Sequence, residues 1–190
     1  MTTPRCIQAP AGAAAKAAIA HRASVPVIET ARLRLRAPEV GDFPAYATIL
    51  SADEGHMGGP FSPEDIWYDF TNYIAGWMLH GIGLWTVTLN DDTVVGFITL
   101  GLEWEDQEPE LGWLFLPEYH GQGYAAEAAH AARDLGLDLL QSFVSYVDPD
   151  NTRSNRLAER LGAARDPAAE ASIATAQGEA IHVWRHGGAK

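Results

Sequence analysis

The segment from His120 to Ala125, with the letters HGQGYA, constrains the fold of this chain more than any other stretch. It lies between an apolar run that ends at Pro117 and an alanine-rich run that begins at Ala125. These flanks predict a strand before the glycines and a helix after them. A glycine loop that enters a helix leaves several backbone N–H groups without acceptors, and phosphate groups commonly bind there. The segment therefore predicts a phosphate site at a strand–loop–helix junction.

The loop shares part of its pattern with the glycine-rich turns of nucleotide-binding folds. The letters GQGYAA fit the G-x-G-x-x-G/A turn of dinucleotide-binding folds, whereas the GK(S/T) ending of a nucleoside-triphosphate loop is absent. A dinucleotide fold places this turn after its first strand and needs several strand–helix units behind it. Only about a third of this chain follows the loop. A nucleotide-dependent oxidoreductase that binds NAD is therefore an alternative that rests on this motif alone.

Two segments in a fixed order resemble the GNAT superfamily of N-acetyltransferases. The stretch from Pro109 to Ala128, PELGWLFLPEYHGQGYAAEA, is similar to the family's acetyl-CoA-binding pattern Q/R-x-x-G-x-G/A. Gly123 and Ala125 match that pattern, and His120 stands where it has glutamine or arginine. The stretch from Asp148 to Ala163, DPDNTRSNRLAERLGA, resembles the later N-x-x-S/A-x-x-L-x-x-x-x-G segment. The resemblance is closest to the RimJ/RimL-like branch of ribosomal-protein N-terminal acetyltransferases.

This resemblance implies a mixed α/β fold with a largely antiparallel central sheet of about six to seven strands, splayed at the acetyl-CoA site and flanked by helices. Strand 110–116 is expected to part from strand 142–147, so that backbone groups there pair with the pantetheine arm. The pyrophosphate is expected to rest on the glycine loop, where glycine permits close backbone approach. The implied cofactor-binding residues are Leu114, Phe115, Leu116, His120, Gly121, Gln122, Gly123, Tyr124, Ala125, Ala126, Asn151 and Ser154.

The resemblance also implies a general base and a general acid. Many relatives carry a glutamate near the acceptor nitrogen at the position of Glu110, and a partly buried carboxylate with a raised pKa suits proton abstraction. Glu103 is the substitute candidate for the base. Ala158 stands where many members have a tyrosine acid, which leaves Ser154 to protonate the departing thiolate. The alternative role of Ser154 is a hydroxyl that bonds its own backbone at a helix start.

The charge of the chain favours a cationic acceptor. The formal net charge is −12, which argues against nucleic acid as a partner, because phosphate backbones bind basic surfaces. Acidic residues crowd the connection just before the glycine loop, and Glu103, Trp104 and Glu105 are predicted to bind an amine there. The net charge alone is not decisive, since many acidic proteins are simply soluble. The predicted acceptor is a protein N-terminus or a small amine.

The residue counts bear on other classes of site. The single cysteine, Cys6, excludes an intramolecular disulfide and a cysteine-based zinc cluster and favours a reducing, cytoplasmic environment. The seven histidines lack metal-ligand spacing, so no metal is predicted. No apolar run approaches the length that crosses a bilayer, so no membrane association is predicted.

A chain of 190 residues suits one domain, predicted over 28–190 and preceded by an extension over 1–27. The extension is basic and rich in alanine, which fits a flexible tail, a short packed helix over Ala11–Ala20 or an organellar transit peptide. The alternation in Ala31–Ala37 predicts a half-buried strand with its arginines outward. This strand and the closing strand Ile181–Arg185 are predicted edges through which a homodimer would form, and a monomer remains open. Segment 166–177 receives no assignment.

The sequence thus predicts an enzyme, an acetyl-CoA-dependent N-acetyltransferase that transfers acetyl directly to a primary amine. No cysteine lies near the predicted site, which is consistent with direct attack rather than an acyl-enzyme. The missing tyrosine supports a second hypothesis, a non-catalytic acyl-CoA sensor that retains the cleft.

Overall fold

The computed structural model describes residues 4–52, 56–177 and 180–188, so residues 1–3 of the predicted extension lie outside the described part. The strands are β1 (Ile28–Glu29), β2 (Leu33–Arg36), β3 (Leu84–Leu89), β4 (Val94–Gly101), β5 (Glu110–Phe115), β6 (Ser142–Val147), β7 (Ala164–Arg165) and β8 (His182–Gly187). The helices are α1 (Gly12–Arg22), α2 (Phe43–Ser51), α3 (Pro63–Leu79), α4 (Tyr124–Leu139), α5 (Thr152–Arg160) and α6 (Pro167–Gln177).

The described strands form one mixed sheet in the order β1-β2-β3-β4-β5-β6-β8-β7. Every neighbouring pair in it is antiparallel except β5 with β6, which confirms the predicted largely antiparallel sheet. The sheet has eight strands rather than six or seven, because β1 and β7 contain two residues each and are too short to show an alternating pattern. A dinucleotide-binding domain needs a series of parallel strands joined by helices, whereas only β5 and β6 are parallel among the described strands, so this sheet argues against the oxidoreductase alternative.

The predicted strand over 31–37 is present as β2. Leu33 and Leu35 are fully buried, as the alternation predicts. The outward orientation predicted for every arginine is wrong for Arg36, whose Nη1 lies 2.8 Å from Oδ2 of the buried Asp42. Thr86 Oγ1 on β3 donates to the same carboxylate oxygen at 2.8 Å. A carboxylate just after the strand therefore holds the guanidinium against the sheet.

Helix α4 covers one face of the sheet with small residues. Ala128, Ala129 and Ala132 are fully buried against it. A Cβ atom on Gly136 would lie 2.9 Å from Phe143 and 3.0 Å from Leu100, so glycine permits the close approach of helix and sheet. This close packing fixes the position of the loop that precedes α4.

Helices α2 and α3 cover the opposite face with aromatic side chains. Tyr46 and Phe70 are almost completely buried, and the Tyr46 and Phe97 rings meet edge to face with centroids 5.0 Å apart. Ser62 caps the start of helix α3, where its Oγ accepts from the N–H of Asp65 at 3.1 Å. The two helices form the outer wall of the cavity described below.

The sheet opens between β5 and β6. These strands share one register position, Glu110 with Val144, whereas β4 and β5 share six. The shared position is the first residue of β5, so the two parallel strands part toward the carboxyl end of β5. The predicted splay is confirmed. The opening lies next to the glycine loop.

The termini add two helices to the predicted arrangement. Helix α1 falls within the predicted extension and buries none of its residues. Arg22 at its end lies 3.4 Å from Glu39, which ties the helix to the segment before α2. Helix α6 occupies the segment that the sequence left unassigned.

Candidate active site

The glycine loop joins β5 to α4 as the sequence predicts. Gly121 and Gly123 have φ angles of 75° and 82°, a left-handed conformation that favours glycine. Among the hydrogen bonds of the described residues, none is donated by a backbone N–H between Gly121 and Ala126, whereas the N–H of Glu127 bonds the Gly123 carbonyl at 3.1 Å. A Cβ atom added at Gly121 would have open space around it. The loop is therefore a concave set of donors that an anion can reach.

Arg32, just before β2, holds this loop in place. Its Nε donates to Glu127 Oε2 at 2.6 Å, and its Nη1 donates to the Gln122 carbonyl at 3.0 Å. The guanidinium also lies over the Tyr124 ring, 4.6 Å from its centroid. A cation thus stands beside the donors of the loop. The alternating pattern of the sequence predicts a solvent-facing Arg32 but not this role, because its partners lie some ninety residues away in the chain.

His120, the departure from the family pattern, links the end of β5 to α5. Its Nε2 lies 2.8 Å from the Phe115 carbonyl, and its Nδ1 lies 2.8 Å from Nη1 of Arg153. A carbonyl only accepts and a guanidinium only donates, so Nε2 carries the proton and Nδ1 accepts. His120 therefore positions the loop and places Arg153 beside it.

The backbone groups that face the opening differ in part from those expected. Ser145 Oγ on β6 donates to the Leu111 carbonyl at 2.6 Å. The backbone N–H and C=O groups of the odd-numbered residues of β5 therefore face β6. β6 does not pair with Trp113 or Phe115, whose amide groups therefore face the opening. The N–H of Leu116 is already bonded to the Val95 carbonyl at 3.1 Å. Leu114, two residues earlier, has its backbone N–H and C=O groups on the same edge of β5, facing β4. The amides that meet a ligand here are accordingly those of Trp113 and Phe115.

Ser154 and Asn151 lie at the start of α5, across the opening from β5. Asn151 Oδ1 caps the helix by accepting from the N–H of Ser154 at 3.0 Å. Ser154 Oγ accepts from Nε1 of Trp113 at 3.2 Å. Among the described hydrogen bonds, Ser154 Oγ makes none to its own backbone, which was its alternative role. The indole occupies a lone pair of this hydroxyl and leaves its proton for another acceptor.

A cavity of about 600 Å³ lies on the α2–α3 side of the sheet, next to the opening. The carboxylates in its lining are Asp65, Asp69, Glu103, Glu105, Asp106 and Glu110, and its larger aromatic residues are Tyr46, Phe61, Tyr73, Trp104 and Tyr146. The predicted acceptor residues Glu103, Trp104 and Glu105 therefore share one cavity with the predicted base. Glu108, from the same acidic connection, instead pairs with Arg185 at 2.7 Å.

Glu110 sits where the two strands part. Its Oε1 accepts from the N–H of Tyr146 on β6 at 3.2 Å, so the side chain bridges the splay. Desolvation by the surrounding protein, together with the negative charges of Asp106 and Glu103, raises the pKa of Glu110 to about 8, against the lowering effect of the hydrogen bond from Tyr146. A carboxyl group with such a pKa is ionised at slightly alkaline pH, where it is matched to accepting a proton from an ammonium group.

Two tyrosines bind carboxylates inside the cavity. The Tyr73 hydroxyl donates to Glu103 Oε1, and the Tyr46 hydroxyl donates to Asp69 Oδ2, each at 2.5 Å. Burial raises the pKa of Asp69 to about 6, against the lowering effect of the Tyr46 hydrogen bond. The cavity wall thus contains carboxylates whose close partners are neutral donors.

Metal centres and membrane-spanning helices are two other features that a chain can contain. In residues 4–52, 56–177 and 180–188, no group of three or more histidine, cysteine, aspartate or glutamate side chains is arranged to hold a metal ion. None of the helices in this part of the chain combines the length and the apolar character that a bilayer crossing demands.

Comparison with known proteins places this site in a family context. Residues 32–164 match the family of acetyltransferase (GNAT) domains. The uncharacterized N-acetyltransferase YnaD of Bacillus subtilis is 30% identical over 145 residues, which cover 73% of this chain and 83% of that protein. The region that matches the family, residues 32–164, contains the opening, the glycine loop and α5.

Solved structures give the same fold. The crystal structure of an acetyltransferase from Agrobacterium tumefaciens has a TM-score of 0.78 and 34% identity, and the match covers 86% of this chain and 95% of that one. An acetyl transferase from Salmonella typhimurium, which modifies the N-terminal serine of the 50S ribosomal subunit protein L7/L12, has a TM-score of 0.67 over 84% of this chain and 98% of that one. At 15% identity the second likeness concerns the fold alone.

Proposed function

The chain belongs to the GNAT family of acetyltransferases, and on that premise we propose that it transfers an acetyl group from acetyl-CoA directly to a primary amine. The observation that carries this proposal is the position of Glu110. It lines the acidic cavity and, at the same time, bridges the opening between β5 and β6 through Tyr146. The acceptor side and the cofactor side of the protein therefore meet at one carboxylate with a pKa of about 8.

The residues around the opening fit acetyl-CoA, the cosubstrate that GNAT acetyltransferases use. Six consecutive N–H groups from Gly121 to Ala126 without acceptors suit a pyrophosphate, and Arg32 and Arg153 place two cations beside them. Open space at Gly121 lets a phosphate approach the backbone. The amides of Trp113 and Phe115 suit the pantetheine arm. When bound, the cosubstrate supplies the acetyl thioester.

Each remaining chemical requirement is assigned to a residue of this chain. The Glu110 carboxylate takes a proton from the acceptor's ammonium group and so creates a nucleophilic amine. An amide of Trp113 or Phe115 donates to the oxygen on which negative charge develops. As the C–N bond forms and the C–S bond breaks, Ser154 Oγ, oriented by the Trp113 indole, donates its proton to the departing sulfur and regains one from the proton that the attacking nitrogen releases.

The acceptor belongs to one of two groups, a protein N-terminus or a small cationic amine. The likeness in fold to the ribosomal-protein acetyltransferase of Salmonella typhimurium supports the first group and an assignment to the RimJ/RimL-like branch. The acidic lining of the cavity supports a cationic acceptor in either case.

A thiol-release assay with acetyl-CoA tests the proposal. We expect release of free coenzyme A thiol to depend on an added primary amine, and mass spectrometry to show one acetyl group on that amine. Tight acetyl-CoA binding without thiol release from any amine or N-terminal peptide contradicts the proposal and supports the acyl-CoA sensor instead. Ala158, in place of a tyrosine acid, is the feature that favours this second function.

Replacement of Ser154 by alanine is expected to lower kcat by about 10- to 100-fold, since a positioned general acid contributes at least that much. The dissociation constant of acetyl-CoA is expected to change by less than about threefold, because one neutral hydrogen bond contributes little. Single-turnover kinetics and calorimetry measure the two quantities. Ser24→Ala, which removes an exposed hydroxyl bonded to the His21 carbonyl, is the matched control. Full turnover in Ser154→Ala removes this residue from the mechanism.

A further inference from the structure

The cavity contains more negative charge than a single ammonium group neutralises. Six carboxylates line it, and no lysine or arginine is among the described residues of its lining. The one histidine there, His56, has its Nδ1 3.0 Å from Asp148 Oδ2. Asp69, Asp106 and Glu110 are partly withdrawn from water, and such carboxylates are ordinarily paired with cations or metal ions. Here a bound cation would supply the missing partner.

The carboxylates occupy two different walls. Glu110 lies on β5 with Asp106 in the connection before it, whereas Asp69 lies on α3 and is bonded to Tyr46 of α2. The charge of Glu103 raises the pKa of both Asp69 and Glu110, so Glu103 lies within electrostatic range of each. The negative charge therefore extends from the reacting position on the sheet to the helical wall.

The size and the aromatic lining of the cavity indicate a small occupant. Its volume of about 600 Å³ falls within the range of small-molecule sites. Its helical wall is closed by the buried side chains of Tyr46 and Ile66. At the acidic connection, the indole of Trp104 is 99% exposed, so its face is open to a cation. An aliphatic amine with two ammonium groups matches a cavity with carboxylates on its sheet wall and on its helical wall and with aromatic rings beside them.

We propose that the acceptor is a small aliphatic amine with at least two positive charges, and that Asp69 is the specificity-determining residue for the second charge. This inference rests on the proposed function. Glu110 receives the proton of the ammonium group that is acetylated, while the second ammonium group keeps its proton and pairs with Asp69. Tyr46 fixes the Asp69 carboxylate for this contact through the 2.5 Å hydrogen bond. A monoamine of equal length leaves Asp69 without a cationic partner.

The test compares 1,4-diaminobutane with butan-1-amine. In the wild type, we expect kcat/KM for the diamine to exceed that for the monoamine by about tenfold or more, the effect of one charge-assisted contact. In Asp69→Asn, KM for the diamine is expected to rise by about tenfold while kcat/KM for the monoamine stays within about twofold. Asp69→Glu keeps the charge and is expected to retain part of the diamine preference. Asp138→Asn, on the exposed side of α4, removes the same charge away from the cavity.

Calorimetry of 1,4-diaminobutane with the protein in the absence of acetyl-CoA gives a second readout. Binding to the wild type and loss of binding in Asp69→Asn are expected, with circular dichroism confirming that the variant is folded. Equal kcat/KM for the two amines, or an equal loss for both in Asp69→Asn, overturns the inference and leaves acetyl transfer intact. Asp69-dependent binding without thiol release refutes the proposed function and upholds the inference. Neither binding nor diamine turnover, with activity on an N-terminal peptide, overturns the inference in favour of a protein acceptor.

Discussion

Replacing Glu110 with glutamine is expected to lower kcat/KM for the amine by about 10²- to 10⁴-fold, the usual contribution of a general base. Glutamine keeps the size of the side chain and its acceptor oxygen for the N–H of Tyr146, but it cannot take a proton. The affinity for acetyl-CoA is expected to stay within about threefold, because Glu110 is on the acceptor side. Steady-state kinetics and calorimetry measure the two effects. Glu159→Gln on the exposed face of α5 removes an equal charge and is expected to act as the wild type.

The pH profile separates a base from a merely structural carboxylate. At a pH below its pKa of about 8, Glu110 is mostly protonated in the folded protein and cannot accept a proton. Wild-type kcat/KM should therefore rise with pH and lose one unit of slope near pH 8. Ionisation of the free amine, near its ordinary pKa of about 10, adds a rise common to both proteins. The ratio of wild type to Glu110→Gln is accordingly the quantity to plot, and a ratio that does not change between pH 6 and pH 9 contradicts the assignment.

Stability should show the same ionisation with the opposite sense. Folding raises the pKa of Glu110, so the folded state binds more protons than the unfolded state between the ordinary carboxyl pKa and about 8. The free energy of unfolding then falls as pH rises through this window. Glu110→Gln lacks this term, so urea unfolding should show the variant gaining stability relative to the wild type from pH 5 to pH 9. A constant difference would mean that Glu110 is not desolvated in solution.

The local pattern of the sequence predicts the elements that build the site. Gly121 and Gly123 mark the loop because their left-handed conformations require glycine, and this requirement is visible in the letters. Leu33 and Leu35 show the two-residue period of a half-buried strand because one face of β2 is buried. Glu110 is indicated by the resemblance to the GNAT superfamily, many of whose members carry a glutamate near the acceptor nitrogen, and not by the local pattern of the strand.

The contacts between distant segments could not be predicted in this way. Arg32 meets Gln122 across ninety residues, and His120 meets Arg153 across thirty-three. No local period records such pairs. The position of Asp69 in the cavity lining could not be predicted either, because a carboxylate on an amphipathic helix is ordinarily exposed to solvent. Only the approach of α3 to the sheet places it in the cavity.

The backbone of β5 illustrates a third kind of limit. The sequence predicts a strand that opens toward the cosubstrate, but the edge on which each amide lies depends on the register with β4. Leu116 bonds Val95 in that register, so the facing amides shift by one residue to Trp113 and Phe115. A one-residue difference in register thus changes which groups meet the ligand without changing the fold.

Replacing Gly123 with aspartate is expected to weaken acetyl-CoA binding by about 100-fold or more, which corresponds to about 3 kcal/mol. Part of this loss arises from the φ of 82°, which costs a residue with a Cβ about 1–2 kcal/mol. The rest arises from a negative charge where the pyrophosphate is expected, at the start of α4, and helix termini discriminate charge by about 1 kcal/mol. A Cβ on Gly123 would also lie 3.4 Å from Arg32 Nη2, so the new carboxylate is expected to compete for that cation.

Gly162→Asp is the matched control for backbone strain. Gly162 has a φ of 76° beyond the end of α5, and a Cβ there would meet only Arg133 Nη1, at 3.9 Å. This variant is expected to lose as much thermal stability as Gly123→Asp while acetyl-CoA binding stays normal by calorimetry. Gly123→Ala adds the strain at the loop without the charge, and we expect an intermediate affinity. Normal affinity in a folded Gly123→Asp would show that the diphosphate binds elsewhere, because neither the strain nor the charge at the donor set would then have reached it.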